Sequence, residues 1–565
     1  MKSRTSFFNL TVFRKNITRF APVWALYTIY LLLVLFTIGF GRAELAYDLS
    51  QCIGPMTLLN FAYAGICAFF LFGDLFNSRL CNALHAFPMR REGWLLTNVA
   101  SGVLFSVGPN LIVGLLGCMA LGEYYYMSFV WQAASLLQFL FFFGTAVLSA
   151  LCAGNRLAMI AVYAIIHFIT VLVYAVWNLL YQPLLYGVQV GTQSFYKFFP
   201  LYRLMECKYL ETIYSGATNN PGFVLVSMIS EGWVCLGLCA LAGVVSLALA
   251  WLVYRRRHLE TAGDFISLRH LSPVFLTIYT VGVAMVLYMF AELFNGQSIL
   301  FLIVGLVVGY FTGRMLLGRT LRVFTKKSFI GLAVLVIVLV VSMGLTRLDP
   351  LGVSAYIPDT DDIQSVALYD IDQGHLYRRD DYDAFEFTDR EEIVLAQDFH
   401  KQMQKYGDPG HDSVKDVHIR YTLKNGKQIT RYYKVALDSE LGARAKKYFS
   451  DLRYIFQVED AQKLKDSIDA IMVEYTSGEY GIDQITSKDH EWIAGLLDAL
   501  EKDSEAGTLA QGWYSWDGKI TSRYVEFQLY NNEDWYTNRF ISIYKESTNT
   551  VAYLDATLAD QKNKG

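Results

Sequence analysis

Nine apolar runs divide residues 1–345 of this chain, and positive charge falls almost entirely into alternate gaps between them. The runs are 21–40, 53–73, 99–121, 131–152, 157–181, 232–254, 274–291, 299–312 and 329–345. Most reach the roughly 20 residues that a helix needs to cross about 30 Å of hydrocarbon. The eighth is short and reads as a tilted or partly re-entrant segment. Of the 22 Lys and Arg residues in this region, 18 lie ahead of the first run or in the even-numbered gaps. They are Lys2, Arg4, Arg14, Lys15 and Arg19, then Arg79, Arg90 and Arg91, then Arg156, then Arg255, Arg256, Arg257 and Arg269, and finally Arg314, Arg319, Arg322, Lys326 and Lys327. The other gaps keep only Arg42, Lys197, Arg203 and Lys208. The positive-inside bias therefore puts the amino terminus in the cytoplasm and everything after Leu345 outside. An error in one span would move an arginine cluster to the wrong side. The fold class expected is a polytopic α-helical membrane protein of about nine transmembrane helices, followed by a C-terminal extracytoplasmic α+β domain.

Charge separates the same two regions. The net of −3 combines +11 over residues 1–345 with −14 over residues 346–565. The acidic part, about 220 residues, is large enough to bury a core of its own. All eight cysteines precede residue 346, so no disulfide staples the external domain, which fits a bacterial cell membrane. Basic loops beside anionic headgroups have an explanation in insertion and anchoring, so the partners expected here are membrane lipids and not nucleic acid. The first run follows a long charged leader and precedes eight more, and is read as a retained helix, not a signal peptide.

Residues 1–20 form an amphipathic cytoplasmic helix, with Leu10, Phe13, Ile17 and Phe20 at helical spacing and Arg14, Lys15 and Arg19 between them. It serves either as an anchor or as an elbow that moves the first span. The gap after the fifth run is too aromatic for a solvated linker, and its stretch 194–214 reads as a short external or re-entrant helical element. In the external domain, 365–371 reads as a strand. Thr388 and Glu391 match a capping box that opens a helix to about Lys405. Val417, Ile419, Tyr421 and Leu423 alternate ahead of Asn425-Gly426, which predicts a hairpin into 428–437, followed by a helix over 439–456. Then come a strand at 467–475, a helix at 488–501, paired strands at 523–530 and 535–545, and a further strand at 550–554. The order suggests two related strand–helix–hairpin units.

Catalytic signals are absent. There is no G-x-x-x-x-G-K-[ST] phosphate loop, no G-x-S-x-G, no H-E-x-x-H and no C-x-x-C. Asp359, Asp361 and Asp362, and later Asp380, Asp381 and Asp383, lack the glycine and terminal glutamate of a calcium loop and read as solvated acidic faces. His167 is the main ionisable group within the runs, with Asn110 and Asn178 as neutral polar positions. The expectation is a non-enzyme with no catalytic, cofactor-binding or metal-binding residue, whose energy source lies elsewhere.

The segment between the second and third runs is the informative one. A helical stretch through Leu84 and His85 stops near Pro88, and Arg90-Arg91 follows. Such a segment suits a surface helix that docks in a groove of a soluble partner, and a plain basic loop would not require Leu84, Phe87 and Met89. Its Leu84-His85-Ala86-Phe87-Pro88-Met89-Arg90-Arg91 resembles the "L-h-s-L-P-[VI]-[ST]-R" coupling segment of type 2 permeases of ATP-binding-cassette exporters. Phe87, Met89 and Arg90 depart from the commoner residues. After the sixth run, the stretch from Tyr254 to Phe265 resembles that family's "Y-x-x-R-x-x-E-x-A-G", with Arg257, Glu260, Ala262 and Gly263 in register. The chain is most similar to Gram-positive permeases of the Ytr group, several of which carry extra spans and a C-terminal external domain.

The resemblance implies a six-helix permease module at 21–270, three additional spans at 271–345 and the external domain at 346–565. It implies a homodimer or heterodimer with a second permease above two separate ATPase subunits, which would bind the ATP and magnesium. Arg79, Leu84, Phe87, Pro88, Arg90 and Arg91 would form the ATPase-coupling surface, and Arg257, Glu260 and Gly263 a second cytoplasmic segment. The work done would be export or envelope-directed. The alternative is a membrane sensor or antibiotic-resistance component whose external domain binds a peptide or cell-envelope ligand. A membrane enzyme acting on lipid-linked substrates would need an Asp, Glu or His cluster at one face, and no convincing one is present.

Overall fold

The computed structural model describes residues 7–37, 42–86, 90–188, 198–215, 222–257, 262–294, 298–369, 386–407, 414–456, 468–477, 481–510, 523–531 and 535–564. The chain divides into two compact units, Met1–Leu180 with Thr192–Ser342, and Tyr181–Gly191 with Met343–Gly565.

The first unit is mainly helical. Helices α1 (Leu10–Arg19), α2 (Ala21–Thr37), α3 (Arg42–Cys52), α4 (Met56–Leu71), α5 (Ser78–Ala86), α6 (Arg91–Leu121), α7 (Tyr125–Cys152) and α8 (Arg156–Val176) come first. After a short α9 (Pro200–Glu206) follow α10 (Ser230–Arg256), α11 (Ser272–Leu293), α12 (Ser298–Gly318) and α13 (Lys326–Leu348). In hydrocarbon the backbone must satisfy its own hydrogen bonds, which is why long apolar sequence becomes helix. Among the described residues, six helical segments are long and apolar enough to cross a membrane, and up to eight if α1 with α2 (bent by 60°) and α3 with α4 (bent by 62°) each count as one. One of the six, Arg91–Cys152, is 62 residues long but folds back on itself. Gly122 takes φ +60°, open to glycine because it has no Cβ, and Ser128 Oγ donates to Gly114 O at 2.9 Å. In one straight helix those residues would stand about 21 Å apart, so α6 and α7 are the two arms of a hairpin.

Two expectations change, and a third gains detail. The eighth run is not short: α12 spans 21 residues. The apolar run stops before Arg314, but that arginine donates to Ser328 Oγ at 3.4 Å and the helix continues past it. The amphipathic helix α1 is fastened to α6, with Asn16 Nδ2 donating to Asn98 Oδ1 at 2.7 Å and to Ser101 Oγ at 3.1 Å. The 194–214 segment is not one helical element. The helix ends at Glu206, and β1 (Leu210–Ser215) pairs antiparallel with β2 (Gly222–Met228). The pairing depends on residues beyond that stretch, so a local reading misses it.

The interior of this unit is polar at one level. Tyr27 Oη donates to Asn60 Oδ1 at 3.0 Å, and Asn60 Nδ2 donates to Gln138 Oε1 at 2.9 Å. These neutral bonds tie α2, α4 and α7 together where lipid offers no alternative partner. His167 sits among Phe61, Phe141 and Tyr163, with Nε2 2.9 Å from Thr145 Oγ1, as a hydrogen-bonding partner within the bundle.

The second unit holds two antiparallel sheets. In the first, β3 (Ile363–Tyr369), β4 (Val414–Leu423) and β5 (Gln428–Ala436) lie in that order, with α14 (Arg390–Tyr406) between β3 and β4 in sequence. The alternating Val417, Ile419, Tyr421 and Leu423 are all buried, and Gly426 turns the hairpin at φ +78°. The helix α14 starts one residue later than the expected capping box, with Asp389 as its N-cap and no side-chain cap bond from it. The expected helix over 439–456 is broken near Ser450 into α15 (Glu440–Phe449) and α16 (Leu452–Phe456).

The second sheet runs in the order β7 (Gly481–Ser487), β6 (Ile468–Ser477), β8 (Arg523–Asn531), β9 (Trp535–Ile543), with α17 (His490–Glu505) ahead of β8. In both sheets a strand pairs antiparallel with the first strand of a hairpin that follows a helix, and in the second sheet β7 comes between β6 and that helix. Strand β7 was not anticipated, and 550–554 is not a strand. It lies in α18 (Thr548–Lys564), whose first turn is capped from α17. Asp503 accepts from Thr550 N at 2.7 Å, Thr550 Oγ1 at 2.6 Å and Asn549 N at 3.2 Å.

Residues Tyr181–Gly191, which follow α8, group with this unit. Gly187 O accepts from Tyr432 N at 3.1 Å, and Tyr186 packs on the Tyr433 ring. Gly187 has φ +76°, and a Cβ there would meet the Tyr433 ring at 2.3 Å, so only glycine fits. Beneath lies His400, fully buried, with Nδ1 3.1 Å from Tyr421 Oη and Nε2 2.8 Å from Tyr433 Oη. Burial, with Arg431 nearby, lowers its pKa to about 3, and burial lowers that of His418 to about 4. Both stay neutral in the folded unit while the unfolded chain takes up protons below about pH 6.5. The unfolded state then binds more protons, so stability is lost as pH falls from about 6.5 toward 4, at up to roughly 1.4 kcal/mol per pH unit for each histidine. Amide-exchange protection of the 414–436 hairpin, corrected for intrinsic rates, is expected to drop over that window. A flat profile would contradict this.

Candidate functional site

The even-numbered gaps of the first unit gather one set of helix ends, and the residues singled out from sequence lie there. Asn77 Oδ1 accepts from Arg79 N at 3.0 Å and from Leu80 N at 3.4 Å, and so caps the start of α5. Cys81 faces inward, while Arg79, Leu80, Asn82 and Ala83 are exposed, Leu80 by 47%. Leu84 lies within α5, and its side chain is outside the described residues, as are Phe87, Pro88 and Glu260 entirely. Arg90 is exposed at the N-cap of α6, with its guanidinium 4.4 Å from the Phe7 ring centroid.

Arg91 and Arg257 are brought together, and both turn inward. Arg91 Nη2 donates to Arg257 O at 3.3 Å and its guanidinium lies 5.6 Å from the Tyr254 ring. Arg257 is 4% exposed. Its Nη1 donates to Ala150 O and Leu151 O, both at 3.2 Å, and its Nη2 to Leu75 O at 3.4 Å. The first two are carbonyls of the last turn of α7, which the helix itself leaves without donors, and the negative end of the helix dipole favours a cation there. Arg257 therefore joins the end of α10 to the end of α7 and to the turn that leads into α5.

The loop after Arg257 is stitched to the α7–α8 turn. Gly263 N donates to Gly154 O at 2.7 Å, Gly154 N to Phe265 O at 3.2 Å, and Ser267 N to Cys152 O at 2.9 Å. Gly263 has φ +98°, a conformation that a side chain would strain. At the rim, Arg255 pairs with Glu92 at 3.9 Å and Arg19 with Asp74 at 3.5 Å, and such exposed pairs contribute little. Between these elements lies an open cleft of about 600 Å³, with Asn77, Leu80, Arg156, Leu157, Phe265 and Arg319 in its lining. Sequence reading assigned Arg156 and Arg319 only to the charge count, and nothing local marked them as neighbours of one cleft.

Among the described residues, no group of three or more His, Cys, Asp or Glu side chains is arranged to hold a metal ion. No protein-family model, curated protein or solved structure matches this chain.

Proposed function

We propose that this chain is the membrane-embedded permease subunit of an ATP-binding-cassette transporter, driven by a separate ATPase that docks on α5. In this reading the chain crosses the cell membrane nine times, with α2, α4, α6, α7, α8 and α10–α13 as spans. The amino terminus is cytoplasmic and residues 346–565 are extracytoplasmic. The charge alternation and the helix found in each apolar run support that count. A second permease copy or relative completes the dimer, and export or envelope-directed work is the outcome.

The observation that carries the proposal is the joint beneath α5. A short helix with an exposed Arg79–Leu80 face follows directly on a turn that Arg257 joins to the ends of α7 and α10, and Arg91 at the start of α6 bonds Arg257 O. A push on α5 from a closing ATPase dimer would reach three long helices through the turn ahead of it and these hydrogen bonds. The exposed apolar residue would act as the anchor and Arg79 and Arg90 as the charged rim of the interface.

The experiment is co-purification of the full chain with an ATPase encoded beside it, followed by ATP hydrolysis. Wild type is expected to bring down an active ATPase. Leu80→Asp with Arg79→Glu is expected to lose it at least tenfold while the permease remains folded, since both side chains point outward. A stable wild-type chain that retains no ATPase, or a double variant that retains as much as wild type, would contradict the proposal.

A further inference from the structure

We propose that the cleft lined by Arg156 and Arg319 is a binding site for the headgroup of an anionic phospholipid. Arg156 opens α8 and has no carboxylate within ion-pair distance among the described residues. Its guanidinium is held by packing, 5.2 Å from the Phe69 ring centroid and beside Gly73. Among the described residues the carboxylate that Arg319 meets is Asp264, at 4.0 Å with both side chains more than half exposed, a pair too loose and too wet to neutralise it. The cleft thus carries two cations in its lining, with one weakly engaged carboxylate beside it, which favours an anion.

The rest of the lining says which kind of anion. Leu157, directly after Arg156, is 72% exposed, and Leu80 is 47% exposed at the same opening. An arginine beside an outward-facing leucine at the start of the long apolar helix α8, with a second arginine across the cleft, matches a molecule with a phosphate at one end and hydrocarbon at the other. Asn77 and Asn155 add polar groups at the same rim. A volume of about 600 Å³ suits a glycerophosphate headgroup with the first part of its chains. Assignment to the inner leaflet rests on the topology proposed above. The lipid would sit against the start of α5, beside the ATPase contact, so that leaflet composition bears on coupling.

The test uses the full chain purified alone in detergent, stripped of lipid and offered equal amounts of phosphatidylglycerol and phosphatidylcholine with the same chains. Bound lipid is counted by native mass spectrometry. Wild type is expected to prefer phosphatidylglycerol about tenfold. Arg156→Gln with Arg319→Gln is expected to abolish the preference, whereas Arg322→Gln, which removes one charge from the same loop, keeps it. An unchanged preference in the double variant, or an equal loss in Arg322→Gln, would overturn the site. Displacement by glycerol 1-phosphate at equal concentration would also overturn it, by showing that a free phosphate suffices. No ATPase is present, so failure here leaves the transporter proposal standing, and failure of that proposal leaves the lipid count unaffected.

Discussion

Arg257→Ala is expected to destabilise the membrane unit by roughly 3 kcal/mol or more, and to do so with or without an ATPase present. The substitution leaves Leu75 O and Ala150 O without the donor they have here, and Leu151 O with Ser267 Oγ alone, in a site that is 4% exposed. A buried polar group that loses its partner costs about 1–3 kcal/mol, and three carbonyls share one guanidinium here. Arg257→Lys is expected to recover only part of the loss, because a single ammonium cannot reproduce the fork that spans two helix ends. Denaturation of the purified chain in rising SDS, read by helix content, measures this. If Arg257→Ala were as stable as wild type but failed to couple to an ATPase, Arg257 would be a docking residue and the joint described above would be wrong.

Gly144→Leu is expected to prevent α7 and α10 from packing. A Cβ at Gly144 would stand 2.1 Å from Gly243 O, and one at Gly243 would stand 2.5 Å from Leu140 O. Both obstacles are backbone atoms that cannot rotate aside, so the helices must separate along their whole crossing. Overpacking of this kind costs typically about 1–3 kcal/mol and more where nothing yields. Gly237→Leu on α10 is the control, since nothing lies within 4 Å of its added Cβ. A large fall in the yield of monodisperse protein is expected for position 144 and little change for 237. Equal tolerance at both would contradict the crossing.

Local chemistry was legible in the sequence, and long-range pairing was not. Each apolar run marks a helix because hydrocarbon leaves the backbone no other way to pair. The hairpin at Asn425-Gly426 was also readable, since alternation and turn chemistry agree there. By contrast, the helix over 548–564 depends on Asp503, whose carboxylate reaches across 47 positions to Thr550. Hairpin β1–β2 was hidden because its second strand lies beyond the aromatic stretch that drew attention. At the site, the helical stretch through Leu84 was readable and is α5, and Arg79 and Arg90 are exposed. Arg91 was expected on the coupling surface and Arg257 in a second cytoplasmic segment, yet one is half-buried and the other wholly turned in. Charge counting cannot show that a guanidinium serves helix carbonyls, because that depends on which helix ends meet.

The most direct test of the permease reading is a photo-crosslinking residue at position 80, placed in the full chain in cells that also make the neighbouring ATPase. Position 241, 58% exposed and midway along α10, serves as the lipid-facing control. The expected result is a covalent adduct with the ATPase from position 80, altered by ATP binding, and none from position 241. An ATPase that is present and active yet never captured from position 80 would contradict the account.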